Sequence, residues 1–131
     1  MKGYNSYFLR DLLREDVVAA FKNSNVFIFP SKKEVSPLVI LESQAAELPW
    51  VSMNVGDVEG RKGGIIIQAD KVDLKGYKII TPSIIDKYVE SIVSIIKDRE
   101  LKNKLVGEGK EDIKEYDWNN IYQAYDRVFK L

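Results

Sequence analysis

The sequence predicts an α/β fold, an open parallel sheet with flanking helices and a helical C-terminal third. Three observations carry this. Short apolar runs alternate with stretches of helical spacing, in the order strand, helix, strand, helix, strand. Such an alternation closes most readily on a parallel sheet. Beyond residue 82 the apolar positions recur only at helical spacing. Finally, 131 residues, 45% of them hydrophobic, suffice for one domain (1–131) that buries a core without staples.

Each element has its own warrant. Tyr7-Phe8-Leu9 suits a short strand. Over residues 15–24, Val17, Val18, Ala20 and Phe21 recur at helical spacing, and Asn23 and Ser24 suit the helix end. Val26-Phe27-Ile28-Phe29 is a continuous apolar run stopped by Pro30, which predicts a strand buried on both faces. A helix is predicted over 37–47, with Ser36 as N-cap and Pro37 at the first helical position. Trp50-Val51-Ser52-Met53 and Gly63-Gly64-Ile65-Ile66-Ile67 supply further strands, and Lys78-Ile79-Ile80 a fourth apolar run. Ser83, with Asp86 three residues on, reads as the cap of a helix carrying Ile84, Ile85, Tyr88, Ile92, Ile95 and Ile96. A helix over 100–115 is expected to break near Gly107 and Gly109. The last helix gathers Trp118, Ile121, Tyr122, Tyr125, Val128 and Phe129 on one side.

Composition excludes whole classes of chemistry. Twenty Lys plus Arg balance twenty Asp plus Glu, so no general nucleic-acid or membrane surface is expected. The absence of cysteine removes disulfides, cysteine nucleophiles and thiolate metal sites. Without histidine, the chain alone carries no Ser-His-Asp, Cys-His or His-metal mechanism. Asp70 and Asp73 do not make a metal pair. No apolar run approaches the ~20 residues of a membrane span, and the N-terminus lacks a signal-peptide layout. A cytoplasmic location is the expectation.

In open parallel sheets ligands sit beyond the carboxyl ends of the strands, at helix N-termini. This places residues 30–38 and the glycine-rich residues 54–64 on one rim. A helix N-terminus offers unsatisfied N–H groups and partial positive charge, a setting for phosphate. Lys32 and Lys33 lie just before it and add charge. On a helical projection at about 100° per residue, Leu48, Leu41, Ala45, Leu38, Ala46 and Val39 sweep an apolar arc. Ser43, Glu47 and Gln44 lie opposite, with Ile40 among them. Glu42 falls inside the apolar arc. Roughly 9 Å into the helix at 1.5 Å per residue, its carboxylate can reach back to the crevice, because helical side chains lean toward the N-terminus. A carboxylate suits two vicinal hydroxyls, such as those of a ribose. The competing reading is structural, a carboxylate neutralised by a lysine or arginine. Glu34, on the loop, either accepts hydroxyls from whatever lies beyond the phosphates or is merely solvated.

The stretch FIFPSKKEVSPLVILESQAAELPWV resembles the signature of the retaining GT-B glycosyltransferases, the group 1 family. Pro30-Ser31, then Glu34, seven residues, and Glu42 match its paired glutamates; Ser36-Pro37 and Ala45-Ala46 match its turn and close. DVVAAFKNSNVFIFPS and residues 84–121 are similar to its flanking elements, so the resemblance covers roughly 7–129. It implies the Rossmann-like C-terminal half of a GT-B enzyme, incomplete at its N-terminus. It also implies a donor substrate, a nucleotide-diphosphate sugar, with no resident cofactor and no bound metal. By the resemblance Glu42 holds the ribose hydroxyls and Glu34 contacts the donor sugar as the catalytic carboxylate. Ser31, Ser36, Pro37, Leu38 and Gly56 line the donor site, the Leu38 N–H facing the diphosphate. An acceptor-binding N-terminal domain or partner subunit would complete the enzyme, and peripheral membrane association belongs to such a full enzyme.

The sequence departs from that pattern in places. It lacks the Arg/Lys pair that neutralises the leaving diphosphate, for which Lys32 or Lys33 would have to substitute. Glu47 stands where the family ends the helix with glycine, which implies a different helix end or modest strain. Glu59 follows Gly56 as the acidic residue of the glycine loop, or is simply solvated; Gly63 and Gly64 are either turn glycines or phosphate contacts. Residues 68–82 read as an insertion or altered edge. The alternative function is a degenerate, non-catalytic domain serving as a nucleotide-binding or protein-interaction module with an exposed sheet edge.

Overall fold

The computed structural model describes residues 3–130. Its centre is a three-stranded parallel sheet in the order β1 (Phe27–Phe29), β2 (Trp50–Met53), β3 (Gly64–Ile67). Phe27, Ile28 and Phe29 pair with Trp50, Val51 and Ser52, and residues 50–53 pair in turn with 64–67. Helix α1 (Arg14–Lys22) precedes β1, and α2 (Leu38–Ala45) links β1 to β2. A 3-10 turn (Gly56–Gly60) leads into β3. Three helices follow, α3 (Pro82–Lys97), α4 (Arg99–Ile113) and α5 (Trp118–Phe129). The α/β parallel architecture with a helical C-terminal third is therefore the one its sequence predicts. No helix among the described residues is long and apolar enough to cross a membrane.

The strand buried on both faces is β2, not β1. All four β2 residues are buried, whereas Ile28 of β1 is 44% exposed. Its neighbours Phe27 and Phe29 stack on each other, and Phe27 also meets Phe21 of α1 at 5.1 Å between ring centroids. Alternate residues of a strand face opposite sides, so Ile28 points away from that aromatic cluster. β1 is an outer strand of the sheet, which explains why an unbroken apolar run did not mean full burial. Trp50, Val51, Met53, Ile40, Val58 and Ile95 are fully buried and form the middle of the core.

Several local expectations are corrected. Tyr7, Phe8 and Leu9 form no strand and are exposed. Residues 78–80 do not extend the sheet. Lys78 bridges Val72 antiparallel across a turn at residues 73–76, and its N–H donates to the Lys32 carbonyl at 2.9 Å. The Asp73 carboxylate organises that turn. The N–H of Tyr77, and with it that of Lys75, holds its carboxyl below the usual range. The α3 cap is Thr81, whose Oγ1 accepts from the Ile84 N–H, with Pro82 in the first turn where its missing donor costs nothing. Helix α4 runs unbroken through Gly107 and Gly109.

Helix α2 buries the opposite side from the one its periodicity predicts. Ile40, Ser43 and Gln44 are buried, while Leu38 is 68% exposed and Ala45 is exposed. The polar pair goes inward because it is hydrogen-bonded there. Ser43 Oγ donates to the Leu48 carbonyl at 2.6 Å, and Gln44 Nε2 donates to the Lys62 carbonyl and to Asp112 Oδ2, each at 2.7 Å. Gln44 thus fastens α2 both to the loop before β3 and to α4.

Candidate functional site

Parallel strands point all three carboxyl ends one way, so the loops after β1 and β2 emerge on one rim. The structure ties these two loops together directly. The Asp57 N–H donates to the Val35 carbonyl at 2.9 Å, and Ser36 Oγ donates to Asp57 Oδ2 at 2.8 Å. Gly56 makes the approach feasible. Its φ is +55°, and a Cβ there would stand 2.2 Å from the Val35 carbonyl oxygen, so only glycine fits without moving backbone. Buried Val55 and Val58 anchor the loop to the core.

Helix α2 begins at this junction. Its N-cap is Pro37 rather than Ser36, and no side chain caps the first turn. Ser36 lies one residue before the cap, its hydroxyl donating to Asp57, and proline has no side-chain acceptor to offer. Pro37 is buried while Leu38, the first residue with an N–H, stands out of the surface. Glu34 lies half-buried before the turn, and Ser31 Oγ donates to its Oε1 at 2.6 Å. Glu42 lies one turn into α2. It is half-buried, not in the core, because the arc that carries it faces outward. Its Oε1 pairs with Arg14 Nη2 of α1 at 2.8 Å. Beside the pair is a cavity of about 140 Å³, walled by Val17, Val18, Phe21, Ala45 and Ala46.

Lys33, Gly63 and Gly64 are otherwise employed. Lys33 Nζ donates to the Lys75 carbonyl at 2.8 Å and sits 5.1 Å from the centroid of the Tyr77 ring, so the 72–78 turn holds it. Lys32 and Glu59 are exposed. Gly63, at φ +87°, packs against Gly109 of α4, and Gly64 lies under the Trp50 indole, so both serve packing. Asp70 is exposed and Asp73 is engaged in its own turn; among the described residues no three acidic side chains are grouped to hold a metal.

Three participants escaped the sequence reading: Arg14, Asp57 and Arg61. Asp57 and Arg61 form an ion pair with Nη2 to Oδ2 at 2.6 Å. Their spacing of four residues is a helical-pair signal, though it lies in a stretch that reads as loop. Arg14 carried no local signal, since the pairing with Glu42 spans two helices.

Comparison with known proteins identifies the family. The profile of the family described as glycosyl transferases group 1 matches residues 3–112. A sulfoquinovosyl transferase of Arabidopsis thaliana is 26% identical over 116 residues, covering 88% of this chain and 22% of its own length. An N,N'-diacetylbacillosaminyl-diphospho-undecaprenol alpha-1,3-N-acetylgalactosaminyltransferase of Campylobacter jejuni is 31% identical over 121 residues, 89% of this chain and 30% of that protein. A capsular polysaccharide biosynthesis glycosyltransferase of Staphylococcus aureus is 26% identical over 125 residues, 88% and 29% respectively. The chain thus spans under a third of each of these relatives. A parallel α/β core with its two carboxyl-end loops joined, and a profile that covers most of the sequence, place the chain in the glycosyl transferases group 1 family as part of a GT-B domain.

Proposed function

We propose that this chain is the donor-binding part of a retaining glycosyltransferase, the part that binds a nucleotide-diphosphate sugar. The observation that carries the reading is the uncapped N-terminus of α2, set on a rim where two loops are joined, with Glu34 before it and Glu42 one turn within it. The first-turn N–H groups and the helix dipole face the diphosphate, and they stabilise the negative charge that develops as the sugar leaves. Glu42 accepts the ribose hydroxyls. Glu34, oriented by Ser31, contacts the donor sugar, and Ser36, Pro37, Leu38 and Gly56 shape the walls. The relatives are named for transfer of different groups, sulfoquinovosyl and N-acetylgalactosaminyl among them, so the shared element proposed here is a hexosyl donor. Transfer itself draws on an acceptor-binding domain or partner, and the isolated chain is expected to bind without turning over.

A second reading is favoured by one contact. Glu42 already has a cation in Arg14, as it would in a degenerate domain whose carboxylate is only structural. Ligand-observed NMR separates the two. UDP, GDP and ADP and their glucose or mannose derivatives are titrated into the chain and into Glu42→Ala. Selective binding by the native chain, weakened at least tenfold in the variant (about 1.4 kcal/mol), supports a donor site. Binding that is indifferent to the substitution contradicts the assigned role of Glu42.

A further inference from the structure

The joint between the two rim loops rests on a buried charge. The Arg61 side chain is 3% exposed, its guanidinium carbon lies 3.8 Å from the centroid of the Tyr116 ring, and its Nη2 pairs with Asp57. Nη1 is buried without a hydrogen-bond partner. Asp57 is far more open, at 42%, and its Oδ2 also receives the Ser36 hydroxyl. Burying a guanidinium that is incompletely bonded contributes little to stability, since apolar packing of the same volume would serve as well or better. What such a group does provide is a fixed point. Buried and stacked on Tyr116, it anchors Asp57 Oδ2, and Ser36 with it. Ser36 lies one residue before the Pro37 N-cap, so the turn it anchors leads directly into the uncapped first turn of α2.

We propose that Arg61 is a positioning residue for donor binding: acting through Asp57 and Ser36, it sets the turn before α2 so that its first N–H groups meet a diphosphate. This inference rests on the donor-binding reading of the site. It concerns the phosphates and not the nucleoside, whose ribose is assigned to Glu42.

The test uses the chain with Ser36→Ala, Asp57→Asn, Arg61→Lys and Arg61→Met, and two readouts. One is the ¹H–¹⁵N position of the Leu38 and Val39 amides without ligand. The other is the ratio of affinities for a nucleoside diphosphate (UDP, GDP or ADP, whichever the native chain binds) and its nucleoside. The expected result is that both amides shift in every variant. The diphosphate weakens about fivefold or more while the nucleoside is unchanged, and Arg61→Lys recovers part of the loss seen in Arg61→Met. Ser36 is exposed, so Ser36→Ala keeps the test open if Arg61→Met fails to fold. Unmoved amides in Ser36→Ala and Asp57→Asn overturn the relay. Moved amides with an unchanged affinity ratio overturn the positioning role while leaving the donor reading intact. A native chain that binds no nucleotide overturns the donor reading, and the positioning role falls with it.

Discussion

Glu47 ends α2 in a conformation that suits glycine. Its φ is +57°, and the pattern around it is a full Schellman closure. The Glu47 N–H donates to the Gln44 carbonyl and the Leu48 N–H to the Ser43 carbonyl, each at 3.0 Å. A β-carbon in the left-handed region is strained, and the side chain gains only an exposed ion pair with Lys110 at 2.9 Å, worth little in water. Glu47→Gly is therefore expected to stabilise the chain by about 0.5–1 kcal/mol, read as a higher midpoint in urea denaturation with unchanged slope. A lower midpoint would mean that the Lys110 pair outweighs the backbone strain. The family resemblance marked this position as a departure, and the structure shows that it keeps the glycine geometry with a glutamate.

At the scale of elements, glycines decide how closely helices approach loops. Gly63 and Gly109 meet backbone to backbone; a Cβ on Gly63 would lie 2.6 Å from Gly109 Cα, at a φ of +87°. Gly63→Ala is expected to cost about 2–4 kcal/mol through strain and overpacking. Gly107, two residues from Gly109 on the same helix, has open space around it, so Gly107→Ala should add up to about 1 kcal/mol through helix propensity. Equal effects in chemical denaturation would contradict this account of α4. The same contrast shows what a sequence conveys. Apolar runs mark all three strands, because neighbouring parallel strands share a dry sheet. The rim loops are legible because strand polarity is a local fact. The buried face of α2 is not, since Ser43 and Gln44 look polar until their partners on β2's approach and on α4 are known. Nor are Arg14–Glu42 and Arg61–Tyr116, contacts between elements far apart in the chain.

Over the whole molecule, α3 is fastened to the sheet by Tyr88, whose hydroxyl donates to the Phe29 carbonyl of β1 at 3.1 Å. Burial pushes its phenol up to about 12 from 10.0. The folded state thus keeps the proton longer than the unfolded state, and its contribution is fully present below pH 10. It is lost as pH rises from about 10 through about 12. Tyr88→Phe should lower stability near neutral pH by about 1 kcal/mol, with a shallower alkaline decline than the native chain; parallel slopes from pH 9 to 12 would refute this. Elsewhere the molecule leaves apolar surface uncovered. The side of α5 carrying Trp118, Tyr122, Tyr125 and Phe129 is exposed, as are Leu38 and Ala45 on the outward side of α2.

If Glu42 serves a ligand, as proposed, rather than Arg14, substituting each partner of the ion pair separates the two roles. Nucleotide affinity and urea stability are measured for Arg14→Ala and Glu42→Ala side by side. The pair is partly exposed, at 68% for Arg14 and 33% for Glu42, so breaking it should cost no more than about 1 kcal/mol from either side. The account predicts that Glu42→Ala loses nucleotide binding while Arg14→Ala, which frees the carboxylate, binds as well as the native chain or better. Equal destabilisation by both substitutions, with nucleotide binding untouched by either, would show that the carboxylate serves the ion pair alone.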